Sequence, residues 1–138
     1  MTSKQISVFI ENRNGRLKEI LHVLKESGVN ILSMSLADTA EYGLLRIIAD
    51  KADAGKAALT AAGFSCMLSD VFIVQVPHAP GALQGILEII AEEELGVEYM
   101  YGLSAAHDGA LVVVKISNAE KAEEVFQKQG IVTVRDLV

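Results

Sequence analysis

The segment Glu11-Asn12-Arg13-Asn14-Gly15-Arg16-Leu17 carries the residue types best suited to ligand chemistry. An alternating apolar run, Ile6, Val8 and Ile10, leads into it, and an apolar stripe of helical spacing leads out. A strand running into a helix leaves the first backbone N–H groups of the helix without intrahelical partners. Those donors sit at the positive end of the helix dipole, where a carboxylate or phosphate is favoured. Gly15 removes a side chain where a ligand would approach. Asn12 offers an acceptor and a donor in one side chain. A molecule that is both −COO⁻ and −NH₃⁺ needs both kinds of partner at close quarters, and an α-amino acid meets that demand. On chemistry alone the same turn also reads as a structural Asn-Gly helix cap, and both readings stand at this point.

Catalytic chemistry finds less support. An enzyme site usually needs a nucleophile with its base, or a metal. His22, His78 and His107 are far apart in sequence. His22 lies among Lys18, Lys25 and Glu26 on the polar side of a helix, and His107 precedes Asp108-Gly109 in what reads as a hairpin turn. The sequence has no Cys/His cluster with zinc spacing, no P-loop and no GxGxxG. Glu92-Glu93-Glu94 reads as a solvated helix end, and Cys66, between apolar residues, as a buried inert thiol. The chain is therefore expected not to be an enzyme and to use neither metal nor cofactor.

The whole-chain properties narrow the partners. The 138 residues are 51% hydrophobic and 22% charged, with a net charge of −6. Such a surface repels nucleic acid and anionic membranes alike. Arg13, Arg16 and Lys18 form the densest basic cluster, which reads equally as a local basic patch and as a solvated helix start. RNA-recognition domains need exposed aromatics and a basic sheet, whereas this chain has four Phe, three Tyr and no Trp. The single cysteine excludes a disulfide within the chain, which fits a reducing compartment. Met1–Ile10 has no secretory pattern, and no run approaches the roughly 18 apolar residues of a membrane span. A cytoplasmic location is the expectation.

The elements that position these residues come from an internal repeat. Ile6, Val8 and Ile10 match Phe72, Val74 and Val76 at an offset of 66, each set alternating as a strand does. Asn14-Gly15-Arg16-Leu17 is matched by Pro80-Gly81-Ala82-Leu83. Leu17, Ile20, Leu21 and Leu24 then fall at i, i+3, i+4, i+7, and Leu83, Ile86, Leu87 and Ile90 repeat that spacing. Strands at 29–36 and 44–49 are answered at 97–105 and 111–116. Ala-rich helices fall at 51–62 and 118–129, and Gly63-Phe64 and Gly130-Ile131 each open a last strand. The expected fold is α+β: two ferredoxin-like βαββαβ units packed together, with antiparallel sheets and helices on one face. The units span 1–69 and 70–138. Val71, Ile73 and Phe9 add apolar residues to the helix-free faces, where a polar surface is usual. That predicts cover for part of those faces by a second chain, and so a homodimer.

The stretch from Glu11-Asn12-Arg13-Asn14-Gly15-x-Leu17 through Gly28-Val29-Asn30-Ile31 resembles the ACT domain, especially the regulatory ACT domain of phosphoglycerate dehydrogenases. The family pattern there is Asn-Arg-Pro-Gly-x-Leu, a helix, then Gly-Val-Asn-Ile. Asn12 and Asn30 match the two asparagines that hold serine in that family. Asn14 stands at the family's proline and Ile10 at its histidine, while in the second repeat His78 and Glu98 stand at the Asn12 and Asn30 positions. The tandem arrangement is similar to small bacterial ACT-only proteins.

The resemblance implies amino-acid pockets between paired ACT units, the turn of one facing the second strand of the other. One would join Asn12, Arg13, Asn14, Gly15, Arg16 and Leu17 to Glu98, Tyr99, Met100 and Tyr101. The other would join His78, Pro80, Gly81, Ala82 and Leu83 to Asn30, Ile31, Leu32 and Met34. The Asn12 turn is the closer match. The implied function is a non-catalytic sensor that binds a free amino acid and acts allosterically on a metabolic enzyme or transporter. The alternative is a ligand-free docking or oligomerisation module regulating a partner enzyme.

Overall fold

A computed structural model of the chain describes residues 1–11, 15–38, 42–103 and 109–135. The elements are β1 (Ser3–Glu11), α1 (Arg16–Glu26), β2 (Ile31–Asp38), β3 (Tyr42–Ala49), α2 (Ala52–Ala61), β4 (Ser65–Val76), α3 (Ala82–Glu92), β5 (Val97–Leu103), β6 (Ala110–Ile116) and α4 (Ala119–Gln129). They form two compact units, one of Lys4–Ser69 and one of Asp70–Val138 with Met1–Ser3. The division falls inside β4. Met1–Ser3 join the C-terminal unit, where the Ser3 hydroxyl donates to the Val134 carbonyl at 3.4 Å.

In the N-terminal unit the strand order is β2-β3-β1-β4. β1 and β3 are antiparallel, with Ile6 opposite Ile47 and Val8 opposite Leu45. The period of two puts Ile6, Val8 and Ile10 on one face. Against that face α1 buries Ile20 and Leu24 and α2 buries Leu59, and Val29 and Phe64 complete the core. Spacings of three and four residues put those helix side chains on one stripe, so burial of the stripe, rather than propensity alone, holds the helices.

The C-terminal unit repeats the plan with β4, β6 and β5 as neighbours. Phe72 opposes Val114 and Val74 opposes Val112, and Ile90 of α3 with Ala122, Val125 and Phe126 of α4 close the core. The Phe72 and Phe126 rings meet edge to face, centroids 5.0 Å apart at 79°. Each unit is a ferredoxin-like βαββαβ arrangement, and the chain is α+β, as its repeat predicts.

The last strand of the C-terminal unit departs from expectation. Gly130-Ile131 does not open a full strand: among the described residues there is a single bridge, Val74 opposite Thr133. It is held by Gln75 N–H to Val132 C=O at 2.9 Å and Val134 N–H to Ile73 C=O at 2.8 Å. The next rung toward Gly130 would need an N–H from residue 77, and Pro77 has none. The equivalent residue of the first repeat is Glu11, the final residue of β1. The second strands also shift. β2 begins at Ile31 because Asn30 is tied to Asp50, its N–H donating to Asp50 Oδ1 at 2.8 Å. β5 ends at Leu103, and the expected extension to 105 lies outside the described residues.

The helix-free faces are not uniformly bare. Val71 and Ile73 are 0% and 1% exposed within the single chain, so their burial requires no second copy. Gln5 is buried on the corresponding face of β1, where its Nε2 donates to Ser7 Oγ at 3.0 Å. Phe9, by contrast, is 53% exposed. Among the described residues no helix is long and apolar enough to cross a membrane.

Candidate functional site

The two strand-to-helix corners share one backbone geometry. Gly15 caps α1 at φ 87, ψ −7 and Gly81 caps α3 at φ 82, ψ −5. The sequence offset of 66 is thus reproduced to within a few degrees. Neither cap is a side chain, whereas α4 is capped by Asn118, whose side chain accepts from the Lys121 N–H at 3.1 Å. In α1 the first ladder bond runs from Glu19 N–H to Gly15 C=O at 3.0 Å. The N–H groups of Arg16, Leu17 and Lys18 therefore precede the helical ladder. In α3 the first ladder bond is Gly85 N–H to Gly81 C=O, and Ala82 N–H turns back to Ala79 C=O at 3.2 Å. Leu83 and Gln84 carry the remaining first-turn donors.

Among the described residues, a Cβ built on Gly15 or Gly81 meets nothing within 4 Å. Glycine serves there for its left-handed conformation. Gly15→Ala is therefore expected to cost only the conformational penalty of roughly 1–2 kcal/mol, read as a lower midpoint in urea unfolding.

Asn12, Arg13 and Asn14 lie outside the described residues, as do His107 and Asp108. Arg16 is not the solvated residue that the helix-start reading of the basic cluster predicted. Its guanidinium lies 4.2 Å from the centre of the Phe64 ring and pairs with Glu19 Oε2 at 2.7 Å, leaving the side chain 17% exposed. A cation at a helix N-terminus opposes the dipole, and the Glu19 carboxylate in the first turn offsets it. The aromatic face supplies a second attraction.

Within each unit, the strand-to-helix corner and the start of the second strand stand apart. Glu11 pairs with Tyr42 and Ile31 with Ala49, seven residues apart along β3, or about 24 Å. Gly15–Leu17 and Asn30–Leu32 therefore occupy opposite ends of α1. Likewise Val76 pairs with Ala110 and Val97 with Ile116, six residues along β6, or about 20 Å. Pro80–Leu83 and Glu98–Met100 are separated in the same way. Asn30 is exposed, Ile31 packs against the core and Leu32 is half-buried. Glu98 is exposed, Tyr99 is half-buried, and Met100 packs on the C-terminal core. His78, Pro80 and Gly81 are exposed, and Ala82 and Leu83 half-buried.

Sequence reasoning missed the groove that adjoins the second corner. It has a volume of about 750 Å³ and runs from His78 and Ala82 along α3, past Gly85, Ile86 and Ile89, to Ile131. Its signal was present in the repeat: Ala82 and Gly85 stand where the first repeat has Arg16 and Glu19. A smaller hollow of about 390 Å³ adjoins Asn30 between Lys25 and Ile31. Among the described residues, no group of three or more His, Cys, Asp and Glu could hold a metal.

The chain belongs to the ACT domain pair family, whose model matches residues 1–137. Among solved structures it is similar to protein BT0572 from Bacteroides thetaiotaomicron, at 34% identity and a TM-score of 0.92, over 97% of this chain and 92% of that one. The fold is also that of the regulatory subunit of aspartate kinase from Thermus thermophilus, at 20% identity and a TM-score of 0.63, over 92% and 90% of the two chains. E. coli aspartokinase III, solved in complex with aspartate and ADP, shares the fold at 13% identity and a TM-score of 0.57, over 92% of this chain and 31% of that one. A search of curated protein sequences returns no match.

Proposed function

We propose that this chain is a regulatory protein that binds a free α-amino acid and does no chemistry on it. The carrying observation is the pair of glycine-capped corners, alike in backbone to within a few degrees and without a side-chain cap among the described residues. First-turn N–H groups at Arg16–Lys18 receive the α-carboxylate. The Asn12 carbonyl is assigned to the ammonium, on the match of Asn12 and Asn30 to the ACT pattern. Since Gly15–Leu17 and Asn30–Leu32 stand at opposite ends of α1, the facing strand comes from a paired ACT unit. The ACT domains are assigned to 1–69 and 70–138.

Regulation requires that the ligand bind two arrangements of the protein with different affinity. A metabolic enzyme or transporter in the cytoplasm is the proposed recipient of that signal, and a homodimer the proposed form. The exposure of Phe9, Tyr42 and Met67 favours one rival, a docking module without ligand. A thermal-shift screen of the twenty amino acids separates the two. A ligand at about 100 times its Kd adds roughly 2.7 kcal/mol, a midpoint rise of about 10 °C for a chain of this size. A flat response to all twenty would leave the docking module standing and remove the sensor.

A further inference from the structure

The repeat contains its own control for the groove beside the second corner. In the N-terminal unit the equivalent place is filled: Arg16 lies on Phe64 and is held there by Glu19. At the matching positions the C-terminal unit has Ala82, Ile131 and Gly85. Three large or charged side chains become small or aliphatic, and a space of about 750 Å³ opens. The helix position beneath it records the change: Ile20 is 0% exposed, while its counterpart Ile86 is only half-buried. Pro77 keeps the other wall open, because it ends the pairing of β4 with the chain at Gly130.

The walls define what fits. Ile86, Ile89, Ile131 and Val132 are aliphatic, Gly85 adds no side chain, and no Asp, Glu, Lys or Arg lines the groove among the described residues. Among the described residues Gln75, Gln129 and His78 are the polar side chains at its edge. A charged group moved onto the aliphatic wall would lose its water without gaining an oppositely charged Asp, Glu, Lys or Arg. An aliphatic or aromatic group would be favoured by roughly 25 cal/mol per Å² buried. The wall on α3 runs from Ala82 to Ile89, two helical turns or about 10 Å. That length suits one side chain of a small molecule, and a docked helix would overrun it. The volume lies within the roughly 300–1,000 Å³ of small-molecule sites.

We infer that this groove is the side-chain pocket of the second corner, and that it selects α-amino acids with branched aliphatic or aromatic side chains. The inference rests on the reading that the corner grips an amino acid's charged head. It goes beyond it by assigning the ligand's side chain and by distinguishing the two units: one pocket is open and the other is filled by its own Arg16 and Phe64.

Titration calorimetry on the full chain tests it, with L-leucine, L-phenylalanine, L-alanine and L-serine, on wild type and two variants. Gly85→Leu fills the groove from the helix, and its new Cβ meets nothing within 4 Å. Ile131→Phe restores the residue type of the first repeat and keeps the test alive if the helix variant misfolds. Leucine or phenylalanine is expected to bind at least tenfold tighter than alanine and serine, and each variant to weaken that binding at least tenfold. Unchanged leucine and phenylalanine affinity in both variants overturns the groove and leaves the corner reading intact. So does serine binding tighter than either apolar amino acid. If none of the twenty amino acids binds wild type, both readings fall together.

Discussion

Phe72→Ala is expected to remove about 3–5 kcal/mol of unfolding free energy. The ring is 1% exposed and sits at the middle of the C-terminal core, opposite Val114 on the neighbouring strand. It meets Phe126 of α4 edge to face at 5.0 Å, a geometry worth about 0.5–1.5 kcal/mol beyond area burial. The site cannot easily collapse onto a missing ring. β4 is fixed by its pairing with β6, and α4 is anchored by three further contacts: the Asn118 cap, Ala122 and Val125. The cavity term therefore adds to the transfer term, which places the loss toward the upper part of the range. Urea unfolding followed by circular dichroism measures it, and a double-mutant cycle with Phe126→Ala isolates the pair. A loss below about 1.5 kcal/mol would mean that the ring is not enclosed as described. Because the same core supports α3, this variant also loosens the wall of the groove.

The fold was legible because both units keep their hydrophobic period and an offset that drifts only between 66 and 68 residues. Alternation at Ile6, Val8, Ile10 and at Phe72, Val74, Val76 put the strands in place. The i, i+3, i+4, i+7 stripes then placed α1 and α3, and Gly15 and Gly81 marked where strand becomes helix. These are local signals, carried by neighbours within a dozen residues. What stayed hidden depended on contacts distant in sequence. Arg16 looked like a solvated cation because its partner Phe64 lies almost a whole unit further on, and only the folded α1 and α2 bring the two together. The weak last strand of the C-terminal unit was in principle readable from Pro77, since a missing N–H ends a ladder wherever it falls. It was obscured by the expectation that the second repeat copies the first. The groove has the same origin. A comparison that counts matches passes over Ala82, Gly85 and Ile131, whereas one that weighs differences finds that they remove the Arg16, Glu19 and Phe64 cluster. The corner residues Asn12–Asn14 remain a sequence argument, resting on the ACT pattern and on the geometry of Gly15 beside them.

Gly109→Ala is expected to cost about 3 kcal/mol, clearly more than Gly15→Ala, although both glycines have positive φ. Gly109 has φ +97 and Gly15 φ +87, so an L-residue meets a similar conformational penalty of roughly 1–2 kcal/mol at each. The surroundings differ. Among the described residues a Cβ at Gly15 meets nothing within 4 Å, whereas one at Gly109 lies 2.7 Å from the Val76 carbonyl oxygen and 3.8 Å from Pro77 Cα. Backbone cannot rotate away as a side-chain tip can. Val76 is held by its pairing with Ala110 and by burial in the core, and the Pro77 ring fixes the next φ. Relief must come from moving β4 against β6, and overpacking of this kind costs roughly 1–3 kcal/mol. Equal losses for the two alanine variants in parallel urea titrations would show that the close approach at Gly109 carries no energy. Gly109 and Pro77 also line the groove. The tight passage of chain past Val76 that demands glycine is therefore part of what shapes the pocket, and stability and ligand affinity should fall together in this variant.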